Sequence, residues 1–241
     1  MGFFDFLKNK SKPAEEKVDR ISVLAANNDF KSQLDNIQDE IFLFLKPLGF
    51  KKKGRTFNRQ TEDGICQVVN IQSGKYEFGD KYVVPRLREN YYGKFTINLG
   101  VMVKEIYELD HHHKPKDIYQ DYDCQIRTRL THLTIKQELW WPISDDILKI
   151  AEEIIEGLNS QGIPWLDTFE NRQSICKNWR TTEGSSRRAK LDVELIVLQS
   201  DKEKGAQLIQ DYYNNIENHS GHKEYVKVLA ERLGLKVNDR P

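Results

Sequence analysis

The sequence has no long apolar run and few cysteines. Its longest uninterrupted apolar stretch covers residues 41–45, far fewer than the roughly 20 residues that a helix needs to span a bilayer. Cys66, Cys124 and Cys176 are far apart in the chain and match neither a disulfide framework nor a C-x-x-C metal or redox spacing. These absences exclude a transmembrane helix and predict a cytoplasmic protein with reduced thiols.

The chain also lacks net charge, because 37 Lys and Arg residues balance 37 Asp and Glu residues. The molecule as a whole therefore has no field that attracts nucleic acid or an anionic membrane. A charged partner must be met by a local cluster of side chains.

Known signatures of catalysis are absent as well. The sequence contains no G-x-S-x-G, no Walker A motif, no H-E-x-x-H pair and no dinucleotide-binding glycine pattern. His111, His112 and His113 are consecutive, so their side chains diverge, whereas zinc needs ligands that converge. The sequence therefore predicts no cofactor, metal site or catalytic residue, and an enzyme hypothesis requires an active site without a recognised motif.

Two kinds of apolar periodicity follow one another along the first half of the chain. Helical spacing comes first and ends at Pro47 and Gly49; its apolar positions are Phe30, Leu34, Ile37, Ile41, Phe42 and Leu45. Alternation with a period of two then predicts strands at residues 65–71, 95–103 and 124–130, and a weaker strand at 55–59.

After Trp141 the periodicity is helical again. Ser144 is the expected cap of a helix that Gly162 ends, and a further segment runs toward Trp179. Three more helical patterns cover residues 191–198, 207–216 and 222–233. Together these signals predict an α+β fold: an N-terminal helix, an antiparallel sheet of about four strands, and a C-terminal group of about five α-helices.

Composition divides the chain into three expected parts. Residues 1–27 form an amphipathic N-terminus and linker, in which Phe3, Phe4 and Phe6 are candidates for weak peripheral membrane contact. Residues 28–180 form the α+β domain. Residues 181–241 form a helical extension, packed on that domain or folded as a small subdomain.

The predicted strands place polar residues on the side opposite their apolar residues. Arginine has a planar fork that matches carboxylate or phosphate, and neighbouring amides donate and accept around the same ligand. The ordinary alternative is a half-exposed sheet whose polar residues meet water or loop backbone. Asparagine is depleted in strands, and solvated faces more often carry Lys, Glu and Thr, so ligand binding stays an alternative to the ordinary interpretation. The candidate residues are Asn70, Gln72, Asn98, Arg127 and Arg129.

A basic stretch follows the first helix. Its cations, interleaved with two phenylalanines, are Lys51, Lys52, Lys53, Arg55 and Arg59. Such a composition is typical of a groove that contacts phosphates and stacks on bases. Lysine on an exposed edge strand is also a common guard against edge-to-edge aggregation, and the zero net charge favours this second interpretation.

Several short motifs occur in an order that resembles a known family. They are GFKKKGRTFNR, VVNIQSG, GKFTINLGV, CQIRTRL, the WW pair and GIPWL. In this order they are similar to the bacterial domain-of-unknown-function family 4304, over about residues 30–166, followed by a helical extension. The resemblance implies an intracellular bacterial α+β domain and brings no activity, cofactor or catalytic residue with it.

Three functional hypotheses follow. The first is a non-catalytic interaction module that uses the polar sheet face for an anionic ligand or an acidic protein partner; a toxin-neutralising immunity protein is one version, by class analogy alone. The second is nucleic-acid binding through the basic stretch. The third is an enzyme with an unrecognised active site on the same polar face.

Overall fold

The computed structural model describes residues 30–74, 83, 89–111, 114–143, 146–179, 187–217 and 220–239. Several residues discussed above lie outside these ranges, namely Phe3, Phe4, Phe6, His112, His113 and Ser144. Within the ranges given, no helix is long and apolar enough to cross a bilayer.

The expected first helix is confirmed as α1 (Phe30–Leu45). Its apolar residues recur every three or four positions, so they form one stripe that is completely buried: Leu34, Ile37, Ile41 and Leu45. Pro47 lies in the 3-10 turn Lys46–Leu48 that follows, and Gly49 has a φ of +90°. Glycine adopts this left-handed conformation at little steric cost, so the chain turns away into the sheet.

The sheet is antiparallel throughout and contains six strands in the described part of the chain. They are β1 (Lys51–Lys53), β2 (Thr56–Glu62), β3 (Ile65–Ser73), β4 (Lys94–Val103), β5 (Ile126–Arg129) and β6 (Trp141–Pro142). Their order is β1-β2-β3-β4-β5, and β6 pairs with β4 beyond the end of β5. The α+β class is therefore confirmed. The two additional strands, β1 and β6, are too short to show alternation in a sequence.

The third predicted strand is shorter than its alternation suggested. It ends at Arg129, and Leu130 begins a short helix, α3 (Leu130–Thr134). A preceding helix, α2 (Lys104–His111), follows directly after β4. Leu130 is buried in α3, as it would also be in a continued strand, so the period alone did not show where β5 ends.

The C-terminal helices are α4 (Ile147–Gly157), α5 (Ile163–Asp167), α6 (Arg172–Asn178), α7 (Arg187–Ser200), α8 (Lys202–Asn214) and α9 (Gly221–Arg232). Asp146 caps α4 by accepting a hydrogen bond from the Lys149 N–H.

The expectation that Gly162 ends this helix is wrong. The chain continues through a π-helical turn (Leu158–Gly162) into α5, and Gly162 has a right-handed φ of −67°. A Cβ there would lie 3.1 to 3.4 Å from Leu158, Leu130 and Leu99. Gly162 therefore serves close packing of the helix on the sheet, not helix termination.

The apolar face of the sheet carries the main core. Phe57, Val69, Ile97 and Leu99 are buried there together with α1 and the helices that follow β6. A second apolar cluster forms between α7, α8 and α9. Helix α7 belongs to both, because Val193 packs in the main core while Leu191 and Leu195 pack in the second cluster.

The opposite face of the sheet is divided into two parts. One part is a small apolar cluster of Cys66, Val68, Met102, Tyr107 and Cys124. The other part is polar and holds the residues that the sequence singled out.

Candidate functional site

Two rows of paired residues cross the face of the sheet opposite the main core, and the second row passes through Val68 of the small apolar cluster. The first row is Lys53, Thr56, Asn70, Asn98 and Arg129, and the second is Lys51, Asn58, Val68, Gly100 and Arg127. Directly paired residues of neighbouring strands project to the same face. The polar residues of the rows, together with Gln72 and Thr96, which pair with each other, define the polar face. The shared register on which the binding hypothesis depended is therefore present.

A covering segment, residues 119–123, lies over the middle of the polar face. Asn58 holds it at one end, since its Nδ2 donates to the Tyr119 carbonyl (2.9 Å) and its Oδ1 accepts from the Tyr119 N–H (2.7 Å). The Thr56 hydroxyl donates to Gln120 Oε1 (2.7 Å) and itself accepts from Asn70 Nδ2 (2.8 Å). The polar residues at the centre of the sheet thus bind this segment.

The middle of the covering segment is held by Asn98. Asn98 Nδ2 donates to Asp121 Oδ2 (3.0 Å) and to Gln72 Oε1 (2.8 Å). Desolvation raises the pKa of Asp121 above its usual value, although backbone N–H groups and the positive charge of Arg127 act in the opposite direction.

The five candidate residues therefore share a face but not a role. Asn70 and Asn98 are only 8% and 6% exposed, and their amides bind residues of the fold. Gln72 and Arg127 are exposed, and Arg129 is half-buried. Of the five candidates, only Gln72 and the two arginines therefore meet solvent.

Arg129 is held in place by neighbours that the sequence did not identify. Its guanidinium forms an ion pair with Glu138 and lies 5.4 Å from the centre of the Trp140 ring. Trp140 in turn stacks on Tyr91, with ring centres 4.3 Å apart, and its indole N–H donates to Glu138. Tryptophan at a junction between sheet and helix is ordinarily a core residue, so the sequence predicts burial for Trp140; here it is only half-buried. The neighbouring Trp141 offered a signal for the position of Trp140. Trp141 pairs with Phe95 on the apolar side, and successive residues of a strand alternate between faces, so Trp140 lies on the opposite side.

Arg127 differs from Arg129 in its contacts. Among the described residues its guanidinium makes no hydrogen bond or ion pair, and its charge acts on Asp121 nearby. An exposed guanidinium of this kind keeps all its donors for a partner.

The structure separates the basic stretch into two groups. Lys52 pairs with Asp39 (2.5 Å), Arg55 pairs with Asp35 (3.3 Å), and Arg59 pairs with Asp167. Arg59 also donates to the buried Gln67. Lys51 and Lys53, in contrast, are exposed on the edge strand β1, on the polar face. Only these two lysines of the five cations remain without a carboxylate partner in the described part of the chain.

The buried thiols do not offer a nucleophile. Burial raises the pKa of Cys66 to about 12 and that of Cys124 well above its usual value, so both are protonated at neutral pH. No group of three or more His, Cys, Asp or Glu residues suited to a metal ion occurs in the described ranges.

Two clefts lie away from the arginines. One, of about 430 Å³, is lined by residues that include Lys51, Cys66 and Lys116. The other, of about 790 Å³, is lined by residues of α8 and α9. Neither lining contains Gln72, Arg127 or Arg129.

Comparison with protein families identifies the fold unit that carries the polar face. The family model described as "Domain of unknown function (DUF4304)" matches residues 43–85 and 86–168. The chain belongs to this family. In this DUF4304 protein the matched residues include both rows and the covering segment, whereas α7, α8 and α9 lie outside the match. No curated protein and no solved structure matches the chain.

Proposed function

We propose that this DUF4304 protein is a non-catalytic binding module whose polar face contacts an acidic protein partner through Gln72, Arg127 and Arg129. The observation that carries the proposal is the pair of arginines on one face of β5. One guanidinium is exposed and unpaired within the described residues, and the other is positioned against Trp140.

The surroundings of the arginines favour a protein over a small anion. Large apolar side chains are exposed next in the chain to residues that surround the arginines: Tyr122 beside Asp121, Leu139 beside Glu138, and Tyr92 beside Tyr91. Protein interfaces are enriched in aromatic residues and arginine. An acidic partner supplies carboxylates for the guanidinium forks and apolar groups for these side chains.

Bacterial origin, a cytoplasmic location and an immunity-like role belong to the same proposal. The free thiols Cys66, Cys124 and Cys176 support a reducing compartment. The immunity-like role is supported only by the lack of catalytic motifs and by the exposed polar face.

The decisive test is the affinity of a fluorescein-labelled deca-glutamate peptide, measured by fluorescence anisotropy at low salt. We expect Arg127→Ala to weaken binding about fivefold, because a charge-assisted contact contributes on the order of 1 kcal/mol at an exposed site. Arg232→Ala, which removes an exposed arginine from α9, is the matched control. Equal affinities of the two variants, or no binding by the wild-type protein, would contradict the proposal.

The nucleic-acid hypothesis now depends on Lys51 and Lys53 as the phosphate contacts, since the other three cations of the basic stretch are paired with carboxylates. Single-stranded RNA and duplex DNA in the same assay, over a salt series, test it. A steep decrease of affinity with salt, lost in the Lys51→Gln/Lys53→Gln variant, supports it.

A further inference from the structure

The cations of the polar face lie at both ends of the rows. Lys53 and Arg129 terminate the first row, and Lys51 and Arg127 terminate the second. Four interstrand spacings separate the ends of each row, a distance of about 19 Å between Cα atoms. The covering segment fills the space between the ends, so the two pairs of cations form separate contact points on one surface.

We infer that Lys51 and Lys53 extend the proposed partner site, so that one acidic protein segment contacts the arginines and crosses the covering segment to the lysines. This inference rests on the proposed function of the arginines. An extended segment advances about 3.3 Å per residue, so at least six residues are needed to reach from one end of a row to the other.

Lys51 and Lys53 have the surroundings that such a contact needs. Both are exposed and, in the described part of the chain, neither forms an ion pair. Lys52 between them is directed to the other face and binds Asp39 on α1. The strand thus separates a lysine that stabilises the fold from two lysines that do not.

The charges of the surface favour a protein segment over a nucleic acid. Asp121 and Glu138 lie beside the arginines, and their carboxylates repel a continuous chain of phosphates. An extended protein segment directs alternate side chains away from the surface, so its carboxylates can contact the cations without all of them facing Asp121 and Glu138.

The test compares two labelled peptides of different length, tri-glutamate and deca-glutamate, which extend over about 10 Å and about 33 Å. We expect Lys51→Gln/Lys53→Gln to weaken deca-glutamate binding about fivefold and to change tri-glutamate binding less than about twofold. The control is Lys202→Gln/Lys204→Gln, which removes two exposed lysines at the same spacing from α8.

The outcomes separate this inference from the proposed function. If Arg127→Ala weakens peptide binding but the Lys51/Lys53 variant behaves like the α8 control, the inference is wrong and the proposed function stands. If Arg127→Ala also has no effect, the proposed function fails. If single-stranded RNA displaces deca-glutamate at lower concentration than unlabelled deca-glutamate does, a nucleic acid is the partner and the inference is overturned.

Discussion

Arg127 and Arg129 show how neighbours decide the role of a residue. Both project from the same face of β5, but Arg129 is paired with Glu138 and lies over the Trp140 ring, whereas Arg127 has no hydrogen bond among the described residues. Asn70 and Asn98 lie on the same face and are bound by the covering segment. Residue type and strand parity alone do not distinguish these situations.

Arg172 provides a test of electrostatics at the residue scale. Its N–H donates to Glu62 Oε2 (2.9 Å) and its guanidinium pairs with Glu62 Oε1 (2.7 Å) and Glu105 Oε1 (2.5 Å). Although burial opposes the effect, these contacts hold the pKa of Glu62 below its usual value. Glu62 therefore stabilises the fold above the pKa of the unfolded chain, and this contribution disappears as the pH falls through the lower pKa of the folded state.

We therefore expect Glu62→Gln to lower the free energy of unfolding at pH 7 and to have a smaller effect at pH 3.5, because part of the stabilising contribution of the ionised carboxylate is lost once the pH is below the pKa of the unfolded chain. Urea denaturation at the two pH values measures the difference. Glu152→Gln, at an exposed position of α4, should change stability little at either pH. A loss of the same size at both pH values would show that the ion pair with Arg172 is not responsible.

At the scale of elements, the covering segment depends on β2. Asn58 replaces the pairing that another strand would give, because its side chain satisfies both the N–H and the C=O of Tyr119. Asp123 also stabilises the segment by accepting from the Gln120 N–H (2.9 Å) and from Lys116 Nζ (2.8 Å). The segment thus has few regular backbone hydrogen bonds and is held by side chains.

We expect Asn58→Ala to destabilise the protein by about 1–3 kcal/mol, because it leaves two backbone groups of Tyr119 without partners. Chemical denaturation measures this loss, and hydrogen exchange at Tyr119 should accelerate. Gln60→Ala is a control on the same strand and the same face, at an exposed position. If the two variants are equally stable, Asn58 does not hold the covering segment.

At the scale of the whole molecule, helix α7 joins two apolar cores. The second core requires α8 to approach α7 closely at Gly205, where a Cβ would lie 2.4 Å from the Leu198 Cα and 2.6 Å from its N. Backbone atoms cannot yield as a flexible side chain does, so only glycine fits at this crossing. The division at residue 181 stays a prediction, since α7 contributes to both clusters.

We expect Gly205→Ala to destabilise the C-terminal helices by about 1–3 kcal/mol through overpacking, although alanine favours a helix more than glycine does. Gly221→Ala is the matched control, because nothing lies within 4 Å of its added Cβ. Hydrogen exchange should accelerate in α8 and α9 more than in the sheet. A Gly205→Ala variant as stable as Gly221→Ala would contradict the crossing described here.

The sequence by itself determined the elements with long periodic patterns. Helix α1, strands β3 and β4 and helices α7 to α9 follow from apolar spacing, because burial of one stripe or one face requires that spacing. Strand parity likewise placed Asn70, Asn98 and Arg129 on one side. The short strands β1 and β6 were not predicted, because segments of two or three residues have no period. The continuation of the helix through Gly162 was not predicted either, because a glycine has several structural uses.

Only the tertiary structure decided which polar residues meet solvent. Asn70 and Asn98 are covered because residues 119–123, some 20 to 50 positions away in the chain, fold over them, and no local pattern encodes that contact. For the same reason the basic stretch was divided: carboxylates of α1 and α5 neutralise three of its cations, while Lys51 and Lys53 join the arginines on the polar face. Hydrogen bonds and ion pairs between distant segments depend on how the chain packs, and packing is a property of the whole fold.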